Sequence, residues 1–426
     1  MKIKRILSLI LAIALVAVVF VGCDTSSDDS SDDSSSSTSV EIEDGAKLKL
    51  WGPNKAVDIL KKEAKAFEEK YADKNVSVEV VAQEESDAGT QVLNDADAAA
   101  DVFGFPSDQI TKLKAAKALL PIAAESDYAK KITENHTQAA VETVKGEEDG
   151  NEVYYAFPET DNGYYLVYDK SVVSDEDAKT LEGVLAACKK AGRQFIMDAG
   201  NGYYSCMFAF TGGMALDGLE GEAQDTQKFN DYDESQVVAS MQAFATLFHE
   251  YKGTFVNDNV SKISAGFATD TRTCGAGIDG TWDAAANADA LGDDLGIAKL
   301  PTININGTDT DIVGMIGYKY LGVNANSDYP IAAMALADYL ADQDCQKERF
   351  EELGWTPTHQ SVEVSADAGT TAMLEEAKTF VVQADIIQAF WDPMGNLGNQ
   401  LQKDTAKYDT KTLTTLLKNT IENING

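Results

Sequence analysis

Histidine is scarce in this chain: His136, His249 and His359 are the three in 426 residues, and they lie far apart in sequence. A transition-metal site built on imidazole has little to draw on. Cysteine is nearly as rare. Apart from Cys23 there are Cys188, Cys206, Cys274 and Cys345, with no metal-like spacing and with apolar neighbours. That pattern predicts buried free thiols rather than a disulfide framework, and no metal or cofactor is expected. Basic charge is also short, with 35 Lys and Arg against 70 Asp and Glu, a net charge of −35. Such a surface repels nucleic acid and anionic lipid. The HExxH, GxSxG, P-loop and dinucleotide-binding patterns are absent, as are repeats of solenoid period. The enzyme classes those motifs define are excluded. A carboxylate pair for glycoside hydrolysis stays open on composition, although no one pair stands out.

What is present starts at the first residue. Lys2, Lys4 and Arg5 precede an apolar run from Ile6 to Val21, then Gly22-Cys23. This reads as a signal peptide over 1–22, too short to span a membrane comfortably. It resembles a bacterial lipoprotein leader, with Phe20 where Leu is usual, which implies a lipid anchor on Cys23. From Asp24 to about Gly45 nearly every residue is Ser, Asp or Thr. Such a segment buries nothing, so 23–46 is expected to be a solvated tether with a reach on the order of 25 Å.

The body alternates strand and helix patterns. Lys47 to Trp51 reads as a strand, and Val57, Leu60, Ala64, Phe67 and Tyr71 mark an amphipathic helix. Strands follow at 76–81 and 101–105, which implies a parallel sheet with helices on both faces. Strands are expected at 153–158 and 163–168, with Glu159-Thr160-Asp161-Asn162 as a polar link. Helices are expected at 201–210, 234–252, 330–340, 344–353, 370–380, 383–390 and 410–422, and a hairpin around Asn306-Gly307. The reading is α/β in class, two lobes with crossovers near 159–163, 301 and 354–360. One lobe would hold 47–159 and 302–355, the other 160–301 and 356–426.

One stretch organises the candidate site. Cys274 to Ile278 reads as a buried strand that turns at Asp279-Gly280 into a helix near Trp282. Gly280 is expected to take a positive φ and Thr281 to cap the helix. A large aromatic at such a turn stands where open α/β sheets present ligands. Other aromatics share turn-rich contexts: Phe105, Tyr164-Tyr165, Tyr203-Tyr204 and Trp391. Rings cover the C–H faces of sugars, and amides or carboxylates satisfy the hydroxyls.

Taken together, the segments 47–51, 100–108, 157–170, 280–282, 300–302 and 388–391 resemble the extracellular solute-binding proteins of sugar ABC importers, most closely the maltodextrin-binding branch. The resemblance covers about 46–426. It implies a two-lobed periplasmic-binding-protein fold, type II-like, with an oligosaccharide in the cleft and no enzymatic activity. It implies, as partners, the transmembrane subunits of an ABC permease and a membrane reached through the lipid, for an extracytoplasmic monomer; the free cysteines and the long acidic tether suit a Gram-positive surface. It carries ligand roles onto Asn54, Lys55, Phe105, Asp108, Asn162, Asn201, Tyr203, Tyr204, Trp282 and Trp391. Gln109 stands where the family has a basic residue, Asn162 where it has an acidic one, and Gly395 near a missing arginine. A protein of this fold for another solute is the alternative, and a surface glycosidase a further one.

Overall fold

Two long strands determine the architecture. The computed structural model describes residues 41–426 except 215–231, 269, 365–367, 384–385 and 404–407. Ile42–Gly426 fold as one unit. The described strands are, in order, β1 (Lys47–Gly52), β2 (Ser77–Ala82), β3 (Val102–Pro106), β4 (Ile122–Ala123), β5 (Lys145–Glu148), β6 (Asn151–Tyr154), β7 (Phe157–Asp169), β8 (Gln194–Met197), β9 (Phe255–Asn257), β10 (Cys274–Gly280), β11 (Leu295–Ala298), β12 (Thr302–Ile305), β13 (Thr308–Asp311), β14 (Met315–Val323) and β15 (Val381–Val382). Helices fill most of the intervals between them.

β7 has 13 residues, a span on the order of 40 Å. Its first half pairs antiparallel with β14, from Leu321↔Phe157 to Ile316↔Gly163. Its second half pairs with β10, from Gly280↔Tyr164 to Ala276↔Tyr168, and with β11. The main path runs β2-β1-β3-β14-β7-β10-β8-β9, so one sheet passes through both lobes. Each lobe has its own core. Leu50, Phe67, Phe103, Phe105 and Tyr320 belong to the first. Tyr164, Phe195, Phe208, Phe244 and Ile278 belong to the second. The chain passes from one core to the other along β7, between Phe157 and Tyr164, and returns along β14, between Ile316 and Tyr318.

A buried ion cluster fastens β7 to the first lobe. Arg349, on the helix Gln343–Leu353, donates from Nε and Nη2 to Glu63 at 3.1 and 2.8 Å. Its Nη1 reaches Glu159 at 2.6 Å and its Nη2 also reaches the Leu340 carbonyl at 2.8 Å. Burial pushes the Glu63 carboxyl up, and the guanidinium pulls it back.

Four expectations differ from the structure. The tether does not extend to residue 46: Ile42 and Ala46 are buried in the first core, and Glu43 accepts from the Ile331 and Ala332 amides at the start of the helix Pro330–Leu340. Residues 159–162 are not a loop. Polar as they are, Thr160, Asp161 and Asn162 gain ladder partners in β14, and the Asp161 amide donates to the Thr356 carbonyl at 3.0 Å. The second crossover is not at 301. Ile303, Ile312 and Met315 pack in the second core, because the β12–β13 hairpin folds back on the helix Glu234–Glu250. That hairpin turns at Asn306 (φ 53) and Gly307 (φ 88), the left-handed pair its tight turn needs. Finally, of the helix expected at 383–390, the described residues show a short 3-10 turn at Gln388–Phe390, followed by the helix Trp391–Leu401, while 384–385 lie outside the described residues. The four cysteines Cys188, Cys206, Cys274 and Cys345 are buried free thiols, as expected. Cys23 and the leader lie outside the described residues.

Candidate ligand cleft

β10 ends at Gly280, and a 3-10 turn over Thr281–Asp283 leads into the helix Ala284–Leu291. Gly280 has φ −109, so it is not there for a left-handed turn. A Cβ on it would stand 2.2 Å from the Trp282 ring. Only glycine lets the indole fold back over the strand end. Thr281 makes no capping bond; its hydroxyl donates to the Asp161 carbonyl at 3.3 Å and ties the turn to β7. Trp282 is half-buried there, with its ring centre 6.1 Å from that of Tyr203. The Tyr203 hydroxyl donates to the Asn162 carbonyl at 3.0 Å. From the first lobe, the Lys55 ammonium donates to the Trp282 carbonyl and lies 3.7 Å from Asp283. Burial and the neighbouring Lys319 lower the Lys55 pKa, against the pull of Asp283.

Between these walls lies a polar floor. The Ser107 hydroxyl donates to Gln383 Oε1 at 3.0 Å and accepts from the Tyr318 amide at 3.3 Å. Asn162 Nδ2 reaches the same Gln383 oxygen at 3.5 Å. Gly317 makes room for this network, since a Cβ there would stand 2.2 Å from Gln383 Oε1. Asp108 and Asp161 adjoin its residues in sequence, and Asp279 is buried at the end of β10. Burial pushes Asp108 up to about 6, with Lys112 opposing. Burial alone takes Asp161 to about 7. Asp279 rises to about 7 through burial and then Asp283, although Asn287 Nδ2 donates to it at 2.7 Å. Behind the floor, Lys319 pairs with Glu85 at 2.5 Å and sits 5.0 Å from the Trp355 ring centre.

At the turn that precedes Tyr203 is a cavity of about 660 Å³ in the second lobe. Its walls carry Asp198, Asn201, Trp391, Asp392, Asn396 and Asn399, over a floor of Gly200, Gly202 and Gly395. Asn201 caps the turn that presents Tyr203, accepting from its amide at 3.0 Å. Trp391 stands perpendicular to Phe390, with 5.3 Å between ring centres. The glycines allow the helix Trp391–Leu401 to approach: a Cβ on Gly202 would meet the Trp391 carbonyl at 2.4 Å.

Residues 62–376 match the sequence pattern of the bacterial extracellular solute-binding proteins. The chain belongs to that family. Among solved structures, one determined with acarbose is 27% identical, with a TM-score of 0.77 over 89% of this chain and 98% of its own. A maltodextrin-binding protein from L. casei, solved without ligand, is 23% identical, with a TM-score of 0.73 over 91% and 100%. The Thermus thermophilus maltotriose-binding protein, bound with maltotriose, is 19% identical, with a TM-score of 0.72 over 89% and 99%. No curated protein matches the sequence.

In this solute-binding protein the residues expected at the site divide into two groups. Lys55, Asp108, Asn162, Tyr203 and Trp282 converge on the cleft, with Asn201 and Trp391 at the adjoining cavity. Asn54 lies at the first-lobe rim, where its amide donates to Glu84 at 2.8 Å. Phe105 is not a platform. It is fully buried, packed on Phe103 and Tyr320 at 5.4 and 5.5 Å, because its strand faces the first core. Gln109 is buried and spent: its Oε1 accepts from the Gly89 amide at 2.9 Å, and its Nε2 donates to the Ser86 carbonyl at 2.6 Å. Tyr204 stacks on Tyr164 at 5.2 Å inside the second core. Ser107, Asp161, Asp198, Gln383 and Asp392 were missed. All but Gln383 adjoin or lie close to a residue that was named, and that adjacency was the available signal.

Proposed function

We propose that this solute-binding protein captures an oligosaccharide, an α-glucan fragment of the maltodextrin kind, between its lobes and delivers it to an ABC permease. It works as a monomer, without turnover, anchored to the outer face of the membrane by lipid on Cys23. The observation that carries the reading is the pairing of Tyr203 and Trp282, two half-buried rings 6.1 Å apart, above a floor of hydroxyl, amide and carboxyl groups. Rings of that kind cover sugar faces, and the floor provides partners for the hydroxyls. Ligands named for the similar structures, maltotriose and acarbose, are of the same chemistry.

The test is a thermal-shift screen of maltose, maltotriose and unrelated sugars, with chromatography of each hit. Stabilisation by maltotriose with the sugar recovered intact is expected. Cleaved sugar would indicate a glycosidase, and stabilisation only by other solutes would move the chain to another branch of the fold. For the anchor, Cys23→Ala is expected to release the protein from the membrane fraction with sugar binding retained. Retention in the membrane would remove the lipid from the account.

A further inference from the structure

We propose that the cavity beside Trp391 is a charge-selective subsite: it accepts a sugar unit bearing an ammonium group and rejects one bearing a carboxylate or phosphate. The proposal rests on the oligosaccharide reading above and adds the class of sugar. The cavity, at about 660 Å³, falls within the range of small-ligand sites. Its lining contains two carboxylates, Asp198 and Asp392, and no lysine, arginine or histidine.

The helix Trp391–Leu401 begins at this cavity, and a helix start by itself favours an anion. Here Asp392 occupies its first turn and meets that positive end. Asp198, at the end of β8, is half-buried and hydrogen-bonded to Asn201. Burial, with Asp258 adding to it, raises the Asp198 carboxyl, and the hydrogen bond from Asn201 opposes that. The floor leaves little room for side chains of its own. A Cβ on Gly395 would lie 2.5 Å from the Gly200 carbonyl oxygen, and one on Gly200 2.9 Å from Asn399 Oδ1. Asn399 is itself held, accepting from Asn257 at 3.3 Å, while Asn257 accepts from the Gly200 amide at 3.1 Å. Lys55, the cation at the cleft, is engaged by the Trp282 carbonyl and Asp283. An ammonium group in the cavity would therefore meet two carboxylates and no competing cation. A carboxylate would meet like charge there, which weakens its binding relative to the amine.

The test uses maltotriose and its derivatives with the 6-hydroxyl of one terminal unit replaced by an amine or oxidised to a carboxylate, at each end in turn. Affinities are measured by calorimetry at pH 7 for the wild type, Asp198→Asn and Asp392→Asn. The readout is the ratio of amine to carboxylate affinity, which a general loss of binding does not imitate. For at least one end, a ratio of about tenfold or more is expected in the wild type. It should fall below about threefold in at least one variant that keeps the wild-type melting temperature. Asp392 is exposed, so its variant is expected to fold even where Asp198→Asn does not. A wild-type ratio near one at both ends would overturn the proposal, as would a ratio unchanged in both variants. Failure of maltotriose itself to bind would instead overturn the oligosaccharide reading, and this proposal with it.

Discussion

Lys55 and Trp282 meet across the cleft, the ammonium of one donating to the backbone carbonyl of the other. The contact joins the turn after β1 to the turn after β10, and Asp283 reinforces it at 3.7 Å. It closes the mouth at the place where the aromatic pair stands. Lys55→Met removes the bond and the ion pair but keeps the aliphatic stem. The pair is partly exposed, so the loss of global stability should be below about 1 kcal/mol. The free protein should open, read as a larger radius of gyration in solution scattering without ligand. An unchanged radius would mean that the lobes are held by other contacts.

Phe105 and Trp391 give opposite expectations for the same kind of truncation. Phe105→Ala empties a site in the first core and should cost about 3–5 kcal/mol of folding stability. Trp391→Ala removes a half-buried wall of the cavity, so its main effect should be on sugar affinity, with little change in the melt. A large loss of stability from Trp391→Ala, with affinity retained, would make Trp391 a packing residue like Phe105.

Arg349 is the charge on which β7 depends within the first lobe. Arg349→Met leaves Glu63 and Glu159 buried without the guanidinium that pairs them, which should cost about 3–5 kcal/mol. Lys62, whose partner Glu348 lies on the same helix as Arg349, is an exposed control. Lys62→Met should change stability by less than about 1 kcal/mol. Equal effects of the two, in denaturant titrations, would remove the distinction between buried and surface charge here.

His136 lies buried against His359, with Nδ1 2.9 Å from the Thr358 hydroxyl. Burial, and then His359, depress its pKa to about 3. Above the ordinary value of 6.5 the ring is neutral in both folded and unfolded chains. Between 6.5 and about 3 the unfolded chain takes up a proton that the folded one refuses, so stability falls as pH falls. The raised carboxyls of Asp161 and Asp279 act in the opposite sense, but they are common to wild type and variant and cancel in the comparison. His136→Asn should be less stable than wild type at pH 7.5, and the gap should narrow by about 2–3 kcal/mol by pH 4.5. Parallel stability curves over that range would contradict the assignment.

The sequence revealed the fold where pattern and packing agree. The helix Pro330–Leu340 starts at its proline and was read to the residue, and Asn306-Gly307 marked its hairpin. The helix Trp391–Leu401 was hidden because Gly395 and Gly398 weaken helix propensity. Their use lies outside the helix: a Cβ on Gly398 would stand 1.9 Å from the Ala199 carbonyl. The polar residues 159–162 looked like a link because their ladder partners, in β14, are remote in sequence. At the site, Tyr203 and Tyr204 were indistinguishable in sequence. The helical turn that Asn201 caps sends one to the cleft and the other into the core. Gln383 meets Ser107 across 276 positions, a meeting that no local pattern encodes.

Under the proposed function, an oligosaccharide lies against Trp282 in the cleft. The most direct test is a calorimetric titration of maltotriose into the wild type and Trp282→Ala, with the ligand-free melting temperature of each. Saturable binding to the wild type is expected, with a loss of about 2–4 kcal/mol in the variant and closely similar melts. Wild-type affinity in a folded Trp282→Ala, or a variant that fails by unfolding alone, would contradict it.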